Sequence, residues 1–294
     1  MSVASLCSVP SAIVQHAYTL FLFTKSDIKT TVIPITFLAL ASAPHLDPTH
    51  ILQTAFWIWF HVLQFDVSNQ TLNPEEDEQN KQDRPLPAKR LSLRTALILR
   101  WCLVPLCWAL SLWYSLETLY ASIALVAFTI LYNECATHAG HWLVRNTVNA
   151  AGFASFEVGA TLVASKDPAY LDLTAILSVC ISAGIFATTI QAQDFKDVHG
   201  DRAIGRHTLP IVFPAIARHT ILVDWVTAFV FVTLALFVSY RFLTFKTVPE
   251  DQVSFIGIMF GCHLLTLCPV IIEFTMFDLA AFPFVPIRGN VQMM

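Results

Sequence analysis

Apolar stretches of about 20 residues recur along most of the chain, and a helix of that length crosses the hydrocarbon core of a bilayer. The 294-residue chain is 55% hydrophobic and only 13% charged, with a mean hydropathy of +0.61. Soluble domains carry about 25% charged residues. Apolar positions are continuous rather than alternating, which favours helices over a transmembrane barrel. The sequence therefore predicts an all-α, polytopic transmembrane helical bundle.

Eight spans are predicted, near residues 30–44, 50–68, 93–113, 117–133, 147–165, 171–191, 218–242 and 252–276. We expect 1–294 to form one integral membrane domain, with an interfacial segment within 1–26. Two polar loops, 69–92 and 192–217, interrupt the apolar pattern. Lysine and arginine are concentrated in the loops on their side, which predicts that both are cytosolic. The net charge of −4 does not indicate a nucleic-acid partner, and no obligatory protein partner is evident.

The second polar loop contains three aspartates, Asp194, Asp197 and Asp201, at a spacing that would place them on one face of a helix. Like charges on one face repel unless a cation lies among them. Carboxylate oxygens suit Mg²⁺, which is commonly held together with the oxygens of a phosphate ligand. Basic residues that could bind that phosphate lie beside the aspartates: Lys196, Arg202 and Arg206. The alternatives are a solvated acidic helix end and basic residues that only follow the positive-inside rule.

At these residues the chain resembles the UbiA superfamily of membrane prenyltransferases, which carry two aspartate-rich motifs on cytosolic loops. The second motif, DxxDxxxDxxxGxxTLP, is matched at every fixed position, by Asp194, Asp197, Asp201, Gly205, Thr208, Leu209 and Pro210. The first motif, NDxxDxxxD followed by RPLP, is matched in part. Arg84 begins an RPLP sequence, but Gln70 replaces the aspartate expected after Asn69. The acids at 75–78 supply carboxylates in what we interpret as a shifted register.

The resemblance implies a site at which Mg²⁺ and the diphosphate of a prenyl substrate bind between the two loops. The metal ligands that it implies are Asp194, Asp197, Asp201, Asn69, Glu75 and Asp77. Of these, Asn69 and the three aspartates of the second motif are the expected catalytic residues. The expected diphosphate contacts are Lys81, Arg84, Arg145, Lys196, Arg202 and Arg206. The first-loop acids could instead form a solvated charge run, and Asp66 could be either a ligand or a helix-end charge.

The altered first motif and the segment from Asn133 to Trp142 are similar to the fungal branch that includes membrane-bound terpene cyclases. This resemblance implies a lyase of terpenoid biosynthesis that acts on farnesyl or geranylgeranyl diphosphate. It also implies residence in the endoplasmic reticulum membrane. The family usually has nine spans, and the tail after Phe282 does not resemble a ninth, so we expect eight to nine.

Two other activities remain open. Transfer of the prenyl group to an aromatic or other acceptor requires the same ionisation, so the motifs alone do not separate a transferase from a cyclase. We favour the cyclase because the first motif is altered. A transporter or scaffold is the remaining alternative, but a transporter would place polar groups near the bilayer midplane rather than at one edge.

Four further polar residues near or inside the predicted spans have more than one interpretation. Cys135, His138 and His141 lack an evident fourth ligand, so a zinc site is not favoured. His138 and His141 more simply form local hydrogen bonds at the membrane edge or line the cavity. Glu157 lies in the middle of a predicted span, where a carboxylate needs a partner. Glu157 therefore either bonds to a neighbouring helix or belongs to the cavity.

Overall fold

The computed structural model describes residues 3–72, 74, 77, 81–135, 140–190, 194, 198–203, 205, 207–214 and 216–217. The helices in this part of the chain are α1 (Val3–Thr24), α2 (Ile33–Ser42), α3 (Ile51–Gln70), α4 (Leu93–Leu112), α5 (Leu116–Asn133), α6 (Trp142–Ala164), α7 (Leu173–Thr189), α8 (Val198–Ala203) and α9 (Leu209–Val212). A π-helical turn, Ile28–Val32, leads into α2, and a 3₁₀ turn, Pro48–His50, leads into α3. The prediction of an all-α chain is confirmed.

Helices α2 to α7 correspond to the first six predicted spans, and the two spans predicted at 218–242 and 252–276 lie outside the described residues. The number of spans therefore stays a prediction. Helices α4 and α5 are long and apolar enough to cross a membrane. The apolar stretches Ile28–Ser42 and Leu173–Ala187 are shorter.

Polar residues mark the starts of three of these helices. The Ser92 hydroxyl accepts a bond from the Thr95 backbone N–H, and the Ser115 hydroxyl accepts one from Thr118. Asp172 caps α7 in the same way. Each cap satisfies an N–H group that has no partner within the helix. Short polar caps between apolar stretches therefore set where α4, α5 and α7 begin.

Large apolar side chains cover the outside of the bundle. Ile98, Trp101 and Leu112 on α4 are more than half exposed, as is Tyr120 on α5. Soluble monomers rarely expose a contiguous apolar surface of this kind. The surface is that expected of helices in contact with lipid.

Helix α6 is the central element among the described helices, because it packs against α2, α3, α5 and α7. The main hydrophobic core lies along it, where Phe156, Ala160 and Val163 meet Trp57 and Leu125 from neighbouring helices. All five side chains are at most 4% exposed. Residues at either end of α6 are therefore held in fixed positions relative to the surrounding helices.

One end of the bundle, here called the motif end, is marked by Ser68, Asn133 and Asn146. The Asn133 side-chain amide donates to the Ser68 hydroxyl at 3.0 Å, which joins the end of α5 to the end of α3. The Asn146 amide donates to the Ala187 carbonyl at 3.4 Å, which joins the start of α6 to the end of α7. Both segments that carry the aspartate-rich motifs leave the bundle at this end.

The far end is closed by bonds between the connections α2–α3 and α6–α7. The Asp47 N–H donates to the Ala164 carbonyl at 3.0 Å, and the Lys166 N–H donates to the His45 carbonyl at 2.8 Å. These backbone bonds fix the loops of the far end to each other. The two long polar segments leave the bundle at the opposite end, the motif end.

A polar cluster lies inside the bundle between the two ends. The Trp57 indole N–H donates to the Ser111 hydroxyl at 3.0 Å, and the ring stacks on His61 with centroids 3.9 Å apart. His61 also bonds to the Ser122 hydroxyl at 2.7 Å. Gly159 gives the indole its space, because a Cβ there would lie 2.2 Å from Cη2 of Trp57.

Glu157 has a partner on the neighbouring helix. The Ser182 hydroxyl of α7 donates to Glu157 Oε1, and both side chains are buried. This contact supports the interpretation that Glu157 bonds to a neighbouring helix, because a buried carboxyl group without a hydrogen-bond partner would be costly.

We predict that Gly159→Ala lowers the free energy of unfolding by about 1–3 kcal/mol, the usual cost of overpacking. The buried indole of Trp57 is held by Ser111 and His61, so it cannot move aside freely. Thermal unfolding in detergent measures the effect. Gly184→Ala in α7 is the matched control, because among the described residues no atom lies within 4 Å of its added Cβ. Equal unfolding temperatures for the two variants would contradict the prediction.

Candidate active site

In the first polar loop, Asp77 is paired with Arg84. Arg84 Nη1 lies 2.8 Å from each carboxylate oxygen of Asp77. The side chains of Asp77 and Arg84 are only 11% and 16% exposed. Backbone bonds from Lys81 N–H to the Asp77 carbonyl and from Arg84 N–H to the Lys81 carbonyl fold the segment so that the two meet. Lys81 itself is exposed.

Gln70 points away from this pair. Its side-chain amide donates to the Phe23 carbonyl at the end of α1 at 2.9 Å. Asn69, next to it, is half-buried at the last turn of α3. The residue that replaces the expected aspartate therefore holds α1 through its amide nitrogen.

Asp66 is the residue that the sequence left undecided, and its position is informative. It lies one turn before Asn69 on α3, is 3% exposed, and its Oδ2 atom has no hydrogen-bond partner. The carboxyl group of Asp27 is its nearest side-chain partner, and the charges of Arg84 and Lys81 also act on it. A buried carboxylate oxygen without a donor is unusual and is suited to accept a cation.

The first motif can also be counted from Asn69 without a shift. In NDxxDxxxD, the two internal aspartate positions then fall on Gln70 and Asn73, and the last falls on Asp77. This count stands beside the shifted register that we expected from the acid run, and that register stays a prediction. The pattern retains one carboxylate, and counting from Asn69 would have revealed this from the sequence. Glu75 stays a prediction, because it lies outside the described residues.

In the second motif, Asp194 is paired with Arg145. The two terminal nitrogens of Arg145 each donate to one oxygen of Asp194, both at 2.5 Å. The side chains are only 11% and 4% exposed. Arg145 lies in the first turn of α6, and Asp194 follows α7 by a few residues. The pair exists because α6 and α7 pack side by side at the motif end.

Other residues of the second motif are described in part. Asp201 in α8 is buried, and Arg202 beside it is exposed. Gly205 has a positive φ of 73°, a conformation that favours glycine, which explains why the motif has a glycine there. Asp197, Lys196 and Arg206 lie outside the described residues, so their predicted roles stay predictions.

Tyr132 connects the two motifs. Its ring centroid lies 6.2 Å from that of Phe65, the neighbour of Asp66 on α3. Its phenol group also interacts with Arg145, which holds Asp194. Residues before the first motif and those at the second motif therefore share the mouth formed by the ends of α3 and α5 and the start of α6.

The segment predicted to be interfacial forms α1, and the end of this helix binds the first loop. Lys25 Nζ lies 3.0 Å from Asp83 Oδ2, and this hydrogen bond lowers the pKa of the Asp83 carboxyl. Arg90 donates to the Thr19 hydroxyl at 3.1 Å. These exposed contacts are individually weak, but with Gln70 they attach both sides of the loop to α1.

The described residues fit Mg²⁺ by ligand chemistry. Asn69, Asp66, Asp77, Asp194 and Asp201 offer oxygen atoms, the donors that this ion prefers, and Asp66 has a buried oxygen without a partner. Among the described residues, no three His, Cys, Asp or Glu side chains converge closely enough to form a metal site.

Of the residues considered for zinc, His141 has a local hydrogen-bond partner. His141 Nδ1 accepts a bond from the Leu143 N–H at 3.3 Å and caps α6. This is the kind of local bond that the sequence predicted for it. His138 lies outside the described residues, so its role is untested.

Comparison with known families decides the identity of the fold. A model of the UbiA prenyltransferase family matches residues 31–267. The chain belongs to the UbiA prenyltransferase family. The predicted resemblance and the predicted UbiA-type fold are confirmed, and members of this family are integral membrane proteins. The prediction that the chain is an enzyme of this family, and not a transporter or scaffold, is also confirmed.

Curated relatives of this UbiA protein include terpene-forming enzymes. It is 34% identical over 212 residues to fumagillin beta-trans-bergamotene synthase of Aspergillus fumigatus, covering 71% of this chain and 70% of that protein. It is 32% identical over 200 residues to somaliensene A/B synthase of Streptomyces somaliensis, covering 66% and 64%. It is 27% identical over 212 residues to diterpene cyclase eriG of Hericium erinaceus, covering 70% and 67%.

Solved structures show the same fold. A UbiA homologue from Archaeoglobus fulgidus bound to GPP and Mg²⁺ aligns with a TM-score of 0.61 at 13% identity, covering 92% of this chain and 90% of that one. A digeranylgeranylglyceryl phosphate synthase aligns with a TM-score of 0.57 at 19% identity, covering 87% and 99%. At these identities the likeness extends to the fold alone.

We predict that Asn133→Ala lowers the free energy of unfolding by about 1–3 kcal/mol, because it leaves the buried Ser68 hydroxyl without its donor. It should also speed trypsin cleavage of the first loop at Lys81 and Lys89, which are exposed. Thr147→Ala is the control, since Thr147 is exposed and bonds only to the carbonyl of its own helix in the described contacts. Cleavage at the wild-type rate would show that the Ser68–Asn133 bond does not order the loop.

Proposed function

We propose that this UbiA enzyme ionises an allylic prenyl diphosphate with Mg²⁺ at the motif end and cyclises the resulting cation to a terpene. The observation that carries the proposal is the pair of buried aspartate–arginine contacts at the motif end. Each motif contributes one aspartate, at Asp77 and Asp194, and each aspartate is held by an arginine. Both pairs belong to the motif end of the bundle, so each motif supplies there an acid suited to a cation and an arginine suited to a diphosphate.

The chain's own residues would divide the work by charge. Asn69, Asp66, Asp77, Asp194, Asp197 and Asp201 would hold Mg²⁺, with Glu75 as a further candidate from the sequence. The metal, when bound, neutralises charge on the leaving diphosphate as a Lewis acid. Arg84 and Arg145 would donate charge-assisted hydrogen bonds that strengthen as negative charge grows on the leaving group. Lys81, Lys196, Arg202 and Arg206 are the further candidates for such contacts.

The membrane would exclude water from the reaction. With the diphosphate at the motif end, the prenyl chain would extend among the helices, where apolar and aromatic side chains surround it. Dry surroundings prevent early capture of an allylic cation by water, and aromatic faces stabilise nearby positive charge. Residence in the endoplasmic reticulum, a cytosolic motif end, and farnesyl or geranylgeranyl diphosphate as substrate belong to the same proposal.

Cyclisation is favoured over transfer by two features. The relatives that the chain resembles include enzymes named as a bergamotene synthase and a diterpene cyclase. The first motif carries Gln70 in place of an aspartate, as we expected of the fungal branch. Transfer is the second candidate because the chain is also 30% identical over 158 residues to polyprenyl transferase eriF of Hericium erinaceus, covering 53% of each.

A UbiA homologue that holds both GPP and Mg²⁺ supports the choice of metal.

The proposal predicts turnover without any acceptor. Membranes containing the protein should convert geranyl, farnesyl or geranylgeranyl diphosphate to a cyclic hydrocarbon when Mg²⁺ is present, and chelation with EDTA should stop the reaction. Gas chromatography with mass spectrometry measures the product. Asp194→Asn should lower turnover about a hundredfold or more, because Lewis-acid stabilisation is worth several kcal/mol.

The outcomes separate the two candidates. A prenylated product that forms only when an aromatic acceptor is added would replace the cyclase with the transferase. No release of diphosphate from any of the three substrates by folded protein would reject ionisation altogether.

Asp66 gives a sharper test of the metal site. We predict that Asp66→Asn raises the Mg²⁺ concentration for half-maximal turnover by about tenfold or more, with partial rescue at high Mg²⁺. Asp47→Asn is the matched control, because Asp47 lies at the far end and its side chain caps a turn through Thr49. A Mg²⁺ requirement equal to that of wild type would remove Asp66 from the site.

A further inference from the structure

We propose that Arg84 and Arg145 act as exchangeable counter-ions. They neutralise Asp77 and Asp194 before substrate binds, and they move to the diphosphate when these aspartates bind the divalent cation. The inference rests on the proposed function, because it assigns an order of contacts to the same site. It adds that metal and diphosphate binding are coupled through the protein's own ion pairs.

The geometry of the pairs is the first argument. Arg145 contacts both oxygens of Asp194 at 2.5 Å, and one nitrogen of Arg84 contacts both oxygens of Asp77 at 2.8 Å. An arginine that faces both oxygens occupies the side on which a carboxylate binds a metal in bidentate fashion. It also brings a positive charge within a few ångströms of where a divalent cation would lie, and like charges at that distance repel strongly in a poorly solvated site.

Burial is the second argument. All four side chains are no more than 16% exposed, so none is freely solvated. Removing one partner from a buried ion pair is costly because it leaves an uncompensated charge. The aspartates therefore need a cation at every stage, and the arginines need an anion. An exchange in which both change partners together keeps every buried charge paired.

The pairs also occur once in each motif. Asp77 and Arg84 are seven residues apart in one loop, whereas Asp194 and Arg145 are 49 residues apart and meet only through helix packing. The contacts differ in detail, but a buried aspartate faces an arginine at both motifs and is brought there by unrelated routes, which favours a role of the pairing in the site over one in the local fold.

The exchange has a thermodynamic consequence. A cation that binds alone must displace arginines that then lack an anion, and pyrophosphate that binds alone must draw arginines from aspartates that then lack a cation. Each ligand therefore binds weakly alone and strengthens the other, and the strengthening is reciprocal. Removing an arginine should release the aspartate for the metal and weaken this coupling.

The test measures Mn²⁺ binding by electron paramagnetic resonance on the full chain in detergent, with and without inorganic pyrophosphate. Mn²⁺ serves as the probe because it takes the same oxygen ligands as Mg²⁺. We expect Arg84→Gln and Arg145→Gln to bind Mn²⁺ alone about tenfold more tightly than wild type. We also expect pyrophosphate to enhance Mn²⁺ binding less in these variants than in wild type. Arg94→Gln is the matched control, because it removes an exposed arginine at the start of α4 and should leave both values unchanged.

Two further variants guard against a folding defect. Arg84→Lys and Arg145→Lys keep the charge but lose the planar fork, so they should give intermediate Mn²⁺ affinities. The exchange would be overturned if both glutamine variants bound Mn²⁺ no more tightly than wild type and both lysine variants matched wild type. If the exchange is overturned in this way while the wild-type protein still converts prenyl diphosphate without an acceptor, the proposed function remains intact. Tighter Mn²⁺ binding in a protein that turns over no prenyl diphosphate would instead support the counter-ion role and reject the function.

Discussion

The buried contact between Arg145 and Asp194 is the interaction on which the organisation of the site depends. It fixes the segment after α7 against the first turn of α6, the helix that packs against four others. Because α6 is central, a residue at its start has a defined position relative to α3 and α5 as well. Tyr132 extends the contact toward Phe65 and the first motif. A single guanidinium group thus relates two loops that are far apart in sequence.

The fold was predictable because a bilayer imposes simple rules. Apolar stretches in the sequence became helices α2 to α7, of which α4 and α5 are long and apolar enough to cross it, and polar caps such as Ser115 mark helix starts. The second motif was recognisable because its aspartates, Gly205 and Pro210 stand at fixed spacings. The turn at Gly205 explains one of these spacings physically. The length of an apolar stretch, its periodicity and a short motif are local properties, so they can be identified directly in the sequence.

The partners of the site residues were not predictable in the same way. Arg145 and Asp194 meet because α6 and α7 pack together, and nothing at either position specifies the other. The run of acids at 75–78 suggested several equivalent ligands, whereas the fold pairs Asp77 with Arg84. Asp66 was ambiguous because burial, and not residue type, distinguishes a ligand from a helix-end charge. Such distinctions depend on which side chains are deprived of water, and that depends on tertiary packing.

Gln70 links the altered first motif to the attachment of α1. Its amide is committed to the Phe23 carbonyl, so the position now serves the attachment of α1. An aspartate at this position would be shorter and would carry no N–H donor, so the Phe23 carbonyl would lose this bond and the contacts of Lys25 and Arg90 would remain to attach the loop. A change at Gln70 would therefore act first on the attachment of α1.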